Sequence, residues 1–305
     1  MHHLSGQKMM HGVVIAGAPD KYNILVELNA QHLNIPFKRF LKDGLAAGVK
    51  DLLNEIQPDI VFVFGCSYKI PPELFPMPKY GFFNVHFSLL PAYRGPSPLF
   101  WQIRNGETTS GVTIHQMTAE FDTGPMLAQQ ETVISPGETC GLLAARLSVQ
   151  TVEVITQAIK RLINTGTDML LPQNEERATY FKRPDINDLR IDWEKHSAAE
   201  IENLVNAANP DYGGATVSFR GQPFRILETN RVMLDQPNAV PPGTIIHADI
   251  NYGIIVACKD GGYVRINVAQ ISEGIFSGLK LAGLGIKAGE QFGDSSKLLG
   301  ITIDP

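Results

Sequence analysis

A chain of 305 residues has room for two domains, and a composition of 44% apolar and 19% charged residues is that of an ordinary soluble globular protein. The net charge of −5 gives no general attraction for nucleic acid or anionic membrane; no apolar run reaches the roughly 18 residues of a spanning helix, and the N-terminus MHHLSGQKMMHG lacks the apolar core of a signal peptide. Cys66, Cys140 and Cys258 lie far apart and form no C-x-x-C pair, which suits a reducing compartment, here the cytoplasm, better than a disulfide framework.

In chain order, the β-branched run at 13–16, closed by Gly17-Ala18-Pro19, predicts a strand and a turn. The turn lacks the G-x-G-x-x-G spacing of a phosphate-binding loop. Asp20 is placed to cap a helix over 21–32, and 35–40 is a short strand. Leu45, Val49, Leu52, Leu53 and Ile56 predict a helix over 45–57 that Pro58 stops. The run IVFVF at 60–64 is a strand of the kind buried on both faces of a parallel sheet. Strands at 81–87 and 111–117, with a helical pattern between them, continue the alternation. The fold class that follows is α/β, a doubly wound, mostly parallel sheet.

Apolar spacing from Leu142 to Leu162 predicts a helix over 141–164, capped by Thr139, that closes a first domain at 1–164. The polar stretch 165–184 reads as a linker and 197–208 as a short helix, so 165–210 joins the domains. From Tyr212 the texture changes to short runs between Gly and Pro, at 215–219, 224–227, 243–248, 253–258 and 263–268. These predict a small all-β, barrel-like domain over 211–305.

The chemistry concentrates between Phe82 and Gly124. Asn84 and His86, two apart on an extended strand, point to one face. An amide and an imidazole aimed at one point can stabilise a developing oxyanion, where one donor is worth about 3 kcal/mol. A carboxylate such as Asp122 would raise the pKa of a nearby histidine and hold it protonated. The trio suits acyl transfer to a substrate amine without a serine or cysteine nucleophile; the same Asn-x-His at a strand end also serves as a loop anchor. His115, in phase with Thr113, reads as structural, Phe100 and Trp101 as core, and Lys69 as solvated. His2, His3 and His11 have no acidic or cysteine partner at ligand spacing, so no metal is expected.

Asn84-Val85-His86, Ser88-Leu89-Leu90-Pro91, Arg94-Gly95-Pro96, Gly111-Val112-Thr113 and Asp122-Thr123-Gly124, in this order, resemble the formyltransferase family that uses 10-formyltetrahydrofolate. The resemblance continues through Ala178-Thr179-Tyr180, Ile191-Asp192-Trp193 and Pro242-Gly243-Thr244. It implies that Asn84, His86 and Asp122 are catalytic, with no metal. It also implies that the folate pterin lies against Ser67, Tyr68, Lys69, Ile70 and Pro71, the turn Leu89-Leu90, and the loop Thr118, Ala119, Glu120 and Phe121. Tyr93 and Arg94 are candidates for the acceptor, Arg94 equally for a surface ion pair.

Two departures from the family shape the expectations. Only twelve residues precede Val13, where the family carries a strand, a glycine-containing turn and a helix. Either that first unit is absent, leaving an open sheet edge that a partner subunit could cover, or the start is misassigned. The basic, glycine-rich insertion of the tRNA-directed members is here the short stretch Pro19–Ile24 with one lysine, and 212–305 holds eight Lys and Arg against eight Asp and Glu. Both favour a small amine, an amino sugar on a nucleotide, over methionyl-tRNA. A hydrolase releasing formate and a non-catalytic folate-binding protein are the rival readings.

Overall fold

The computed structural model describes residues 9–19, 23–234 and 239–293. The chain divides into two compact units, the first made of residues 1–96, 111–130 and 148–180, the second of 97–110, 131–147 and 181–305.

In the first unit, β1 (Val13–Ala16) and β2 (Phe37–Phe40) pair in parallel, Val13 opposite Phe37. Between them runs α1 (Asn23–His32); the cap expected at Asp20 and the start at Lys21 lie outside the described residues. Helix α2 (Leu45–Ile56) buries Leu45, Val49 and Leu53, one side chain per turn, and ends at Gln57 in the left-handed conformation. This face packs with Ile70, Leu74 and Phe82 in one apolar cluster.

A four-stranded sheet follows in the order β3 (Val61–Phe64), β4 (Phe82–His86), β5 (Thr109–Gln116) and β6 (Met126–Val133). β3 and β4 are parallel, whereas β4 and β5 are antiparallel, so this α/β sheet is mixed. β3 is only partly buried and Phe64 is 54% exposed. The apolar run had suggested burial on both faces; the strand instead lies at the edge of its sheet, where neighbours cover less of it. β6, MLAQQETV, carries too much polarity for a strand signal and was not anticipated. Helix α4 (Cys140–Thr165) starts where Thr139 Oγ1 accepts from the Leu142 amide.

The supposed linker is tied down. Met126 bridges Leu171, Arg94 bridges Tyr180, and Gln173 is buried.

In the second unit, α3 (Pro98–Arg104) packs on α5 (Ala198–Ala207). α5 opens with a capping box in which Ser197 and Glu200 satisfy each other's backbone amides. An antiparallel sheet runs in the order β7 (Ala215–Phe219), β8 (Gln222–Val232), β11 (Tyr263–Ile271), β10 (Gly253–Ala257), β9 (Ile245–Asp249). β12 (Gly274–Ser277) pairs with β11 and leads into α6 (Gly278–Gly283). Gly293 bridges Ser218 on one edge strand and Gln291 bridges Thr244 beside the other, so residues 291–293 join both edges as a barrel closes. Phe292 between them stacks on Trp193 and contacts Phe219 and Phe224.

Candidate active site

Asn84, His86, His115 and Asp122 meet in the first unit. The antiparallel register sets Asn84 directly opposite His115 and His86 opposite Thr113. Side chains of directly opposed residues share a face, so β5 delivers a second imidazole beside the amide. Asp122 arrives from the loop after β5 with φ 58°, a left-handed conformation that aspartate tolerates better than most residues. The loop is closed by the Gln116 amide donating to the Pro125 carbonyl. A Cβ on Gly124 would come within 1.8 Å of the Gln116 carbonyl oxygen, so this loop requires glycine there.

The Asn84 Nδ2 donates to Asp122 Oδ1 at 3.3 Å and stands 3.3 Å from His115 Nε2. His115 Nδ1 faces the Gln116 carbonyl at 3.1 Å; a carbonyl only accepts, so Nδ1 carries a proton. The Asn84 amide nitrogen thus lies between Asp122 Oδ1 and His115 Nε2. The other carboxylate oxygen of Asp122 accepts from the Gly95 amide at 2.9 Å, and Gly95, with φ 113°, follows Tyr93 at φ 60°. His86 donates from Nε2 to the Tyr93 carbonyl at 2.8 Å, leaving Nδ1 3.7 Å from Asp122 Oδ1.

Burial alone would raise the Asp122 pKa. The contact with His115, the proximity of His86 and the Gly95 amide outweigh it and bring the carboxyl down to about 2. For His86 the balance is opposite. Burial lowers its pKa more than Asp122 and the Tyr93 carbonyl raise it. The expectation that Asp122 holds His86 protonated is therefore corrected: 3.7 Å is too long for a hydrogen bond, and desolvation wins. The resting pair is a neutral imidazole with a free Nδ1 beside a carboxylate, arranged to accept a proton. His115, which the sequence alone assigned to structure, contacts both other members; the pairing of β4 with β5 is the signal that finds it.

Of the residues expected along the pterin wall, Ile70 points into the apolar cluster, while Ser67 and Lys69 are exposed and Tyr68 and Pro71 half-buried. Leu90 is buried and Leu89 half-buried. Their turn is pinned by Thr113, whose hydroxyl donates to the Ser88 carbonyl and accepts from the Leu90 amide. Thr118, Ala119, Glu120 and Phe121 are exposed, with Thr118 and Thr123 bonded across the loop. The Arg94 guanidinium, 7% exposed, forks onto Glu175 at 2.7 and 2.8 Å and donates to Gln173 Oε1. It is engaged inside the unit rather than free for an anion. In the second unit Phe100 is core, and Trp101 stacks on Phe181 and donates to the Lys182 carbonyl. Among the described residues no three His, Cys, Asp or Glu side chains converge as a metal site.

Residues 3–159 match the family model described as formyl transferase, and residues 185–277 match formyl transferase, C-terminal domain. The methionyl-tRNA formyltransferase of Aromatoleum aromaticum is 35% identical over 239 residues, 77% of this chain and 72% of that protein. Among solved structures, HypX from Aquifex aeolicus in complex with tetrahydrofolic acid superposes with a TM-score of 0.66 at 18% identity, over 90% of this chain and 47% of that one; this chain thus spans about half the length of HypX. The N-formyltransferase from Helicobacter canadensis, in complex with folinic acid and dTDP-3-aminofucose, gives 0.53 at 19% identity over 84% and 98%. These two likenesses concern the fold. On the two family matches and the 35% identical relative, the chain belongs to the formyl transferase family and is an N-formyltransferase, a one-carbon group transferase.

Proposed function

We propose that the chain transfers the formyl group of 10-formyltetrahydrofolate to the amino group of methionyl-tRNA, with Asn84, His86 and Asp122 as the catalytic residues. The donor is the one-carbon folate of its family. The acceptor rests on one observation: curated relatives at 31–35% identity, each matched over more than two thirds of its length, are methionyl-tRNA formyltransferases. The amine nitrogen attacks the formyl carbon, and Asn84 Nδ2 turns to the oxygen that becomes negative. His86 Nδ1 takes the amine proton, forming an imidazolium beside the Asp122 carboxylate. The carbon–N10 bond then breaks, N10 receives that proton, and tetrahydrofolate and the formamide leave. Cys66, Cys140 and Cys258 form no disulfide, and burial pushes the Cys140 and Cys258 thiols up to about 12, which accords with a reducing cytoplasm.

A second reading keeps the chemistry and changes the acceptor to an amino sugar on a nucleotide. It rests on the short Pro19–Ile24 stretch with its single lysine and on the balanced charge of 212–305. The test is tetrahydrofolate release with methionyl-tRNA, with a panel of amino-sugar nucleotides, and with no acceptor. Turnover with tRNA alone is expected. Turnover with a sugar alone would install the second reading, formate release without an amine would mean a hydrolase, and folate binding without turnover would mean a binding protein.

A further inference from the structure

We infer that Gln173, locked in place by Arg94, is a positioning residue for formyl transfer that sets the backbone of Asp122 and so aims its carboxylate. This rests on the reading of Asp122 as catalytic. Gln173 is 9% exposed and belongs to none of the motifs that the sequence singles out. Its Nε2 donates to the Asp122 carbonyl at 2.8 Å and to the Gly124 carbonyl at 2.7 Å, on either side of Thr123. Its Oε1 accepts from Arg94 Nε at 3.2 Å and from a terminal nitrogen of the same guanidinium at 2.8 Å. Two carbonyls that only accept and a guanidinium that only donates leave one orientation for the amide, so its flip is excluded by chemistry.

Arg94 is held in turn by its fork on Glu175 and by its backbone amide donating to the Thr179 carbonyl. The next residue, Gly95, donates to Asp122 Oδ2 at 2.9 Å. The ring of bonds therefore closes: turn 93–95 grips the carboxylate directly and grips its backbone through Gln173. Asp122 follows four exposed residues, 118–121, and holds a left-handed φ of 58°, so these carbonyl bonds fix its backbone and with it the direction of its side chain. A misplacement of about 1 Å at a reacting group can cost about a hundredfold in rate.

The test uses the full chain and tetrahydrofolate release with whichever of methionyl-tRNA or an amino-sugar nucleotide the wild type accepts. Gln173→Leu should lose about a hundredfold in kcat while KM for the folate moves less than about twofold. In an Asp122→Asn background the same substitution should cost less than about threefold, because its effect passes through Asp122. Equal losses in both backgrounds, or an unchanged kcat, would overturn the assignment. If Gln173→Leu does not fold, Arg94→Lys, which breaks the fork, is judged by the same criteria. Amide hydrogen exchange at Gly95 needs no turnover. Faster exchange in the variant supports the clasp even if no acceptor is found, and unchanged exchange refutes it independently of the functional reading.

Discussion

At the scale of single residues, the site is a neutral His86 imidazole, an ionised carboxyl and an amide placed between Asp122 and His115. Removing the amide, Asn84→Ala, should lower kcat about a hundredfold to a thousandfold, some 3 kcal/mol, because the donor that turns to the developing oxyanion is lost; steady-state kinetics at saturating folate reads it directly. If His86 accepts the proton, kcat should hold as pH falls through 6.5 and decline only below it, since burial lowers the pKa of His86 from that value. A rate that rises on acidification would mean that the imidazolium is the working form. Stability carries the same signs. The Asp122 carboxyl lies at about 2 in the fold against 3.8 when exposed, so it stabilises fully above 3.8 and the contribution, about 2 kcal/mol, is lost as pH falls from 3.8 to 2. Denaturant midpoints of the wild type and Asp122→Asn should converge across that window.

At the scale of elements, periodicity located the strands and helices well, because Leu45, Val49 and Leu53 or the run at 13–16 declare their own backbone. Strand direction was not declared. The antiparallel pairing that sets His115 opposite Asn84 is a property of two strands at once, and in-phase spacing along one of them could not show it. Gln173 was illegible for the same reason: a glutamine in a polar stretch reads as loop until its partner, 79 residues earlier, is known. β6 and β12 escaped because polar residues interrupt one and the other, GIFS, holds only two apolar residues between glycine and serine. Asp122-Thr123-Gly124, by contrast, was legible as a unit, and the packing explains its last letter. Gly124→Ala drives a methyl into the Gln116 carbonyl, a backbone atom that cannot rotate away. The expected cost is about 3 kcal/mol, a fall of several degrees in Tm by calorimetry. An unchanged Tm would show that the loop can reopen without penalty.

At the scale of the whole molecule, the open issue is how a chain with a net charge of −5 would hold a polyanion. Twenty-six Lys and Arg stand against 31 Asp and Glu, and from Tyr212 onward the two signs are equal in number. Proteins that grip nucleic acid through six to ten phosphates lose roughly 10³–10⁵ in affinity between 50 and 200 mM salt, because each contact releases counterions. A chain without a basic excess should make few such contacts. With about two, the same fourfold rise in salt should weaken binding only about tenfold. If methionyl-tRNA is the acceptor, kcat/KM measured across that range should therefore fall by about one order of magnitude, with recognition resting on the acceptor end and its amino acid rather than on the backbone. A thousandfold fall would reveal a concentrated basic surface that residue totals conceal, and the charge argument for a small acceptor would lose its footing. A flat profile with tRNA as a true substrate would mean that phosphates contribute almost nothing, and binding would then have to come from apolar and hydrogen-bonding contacts to the aminoacyl end alone.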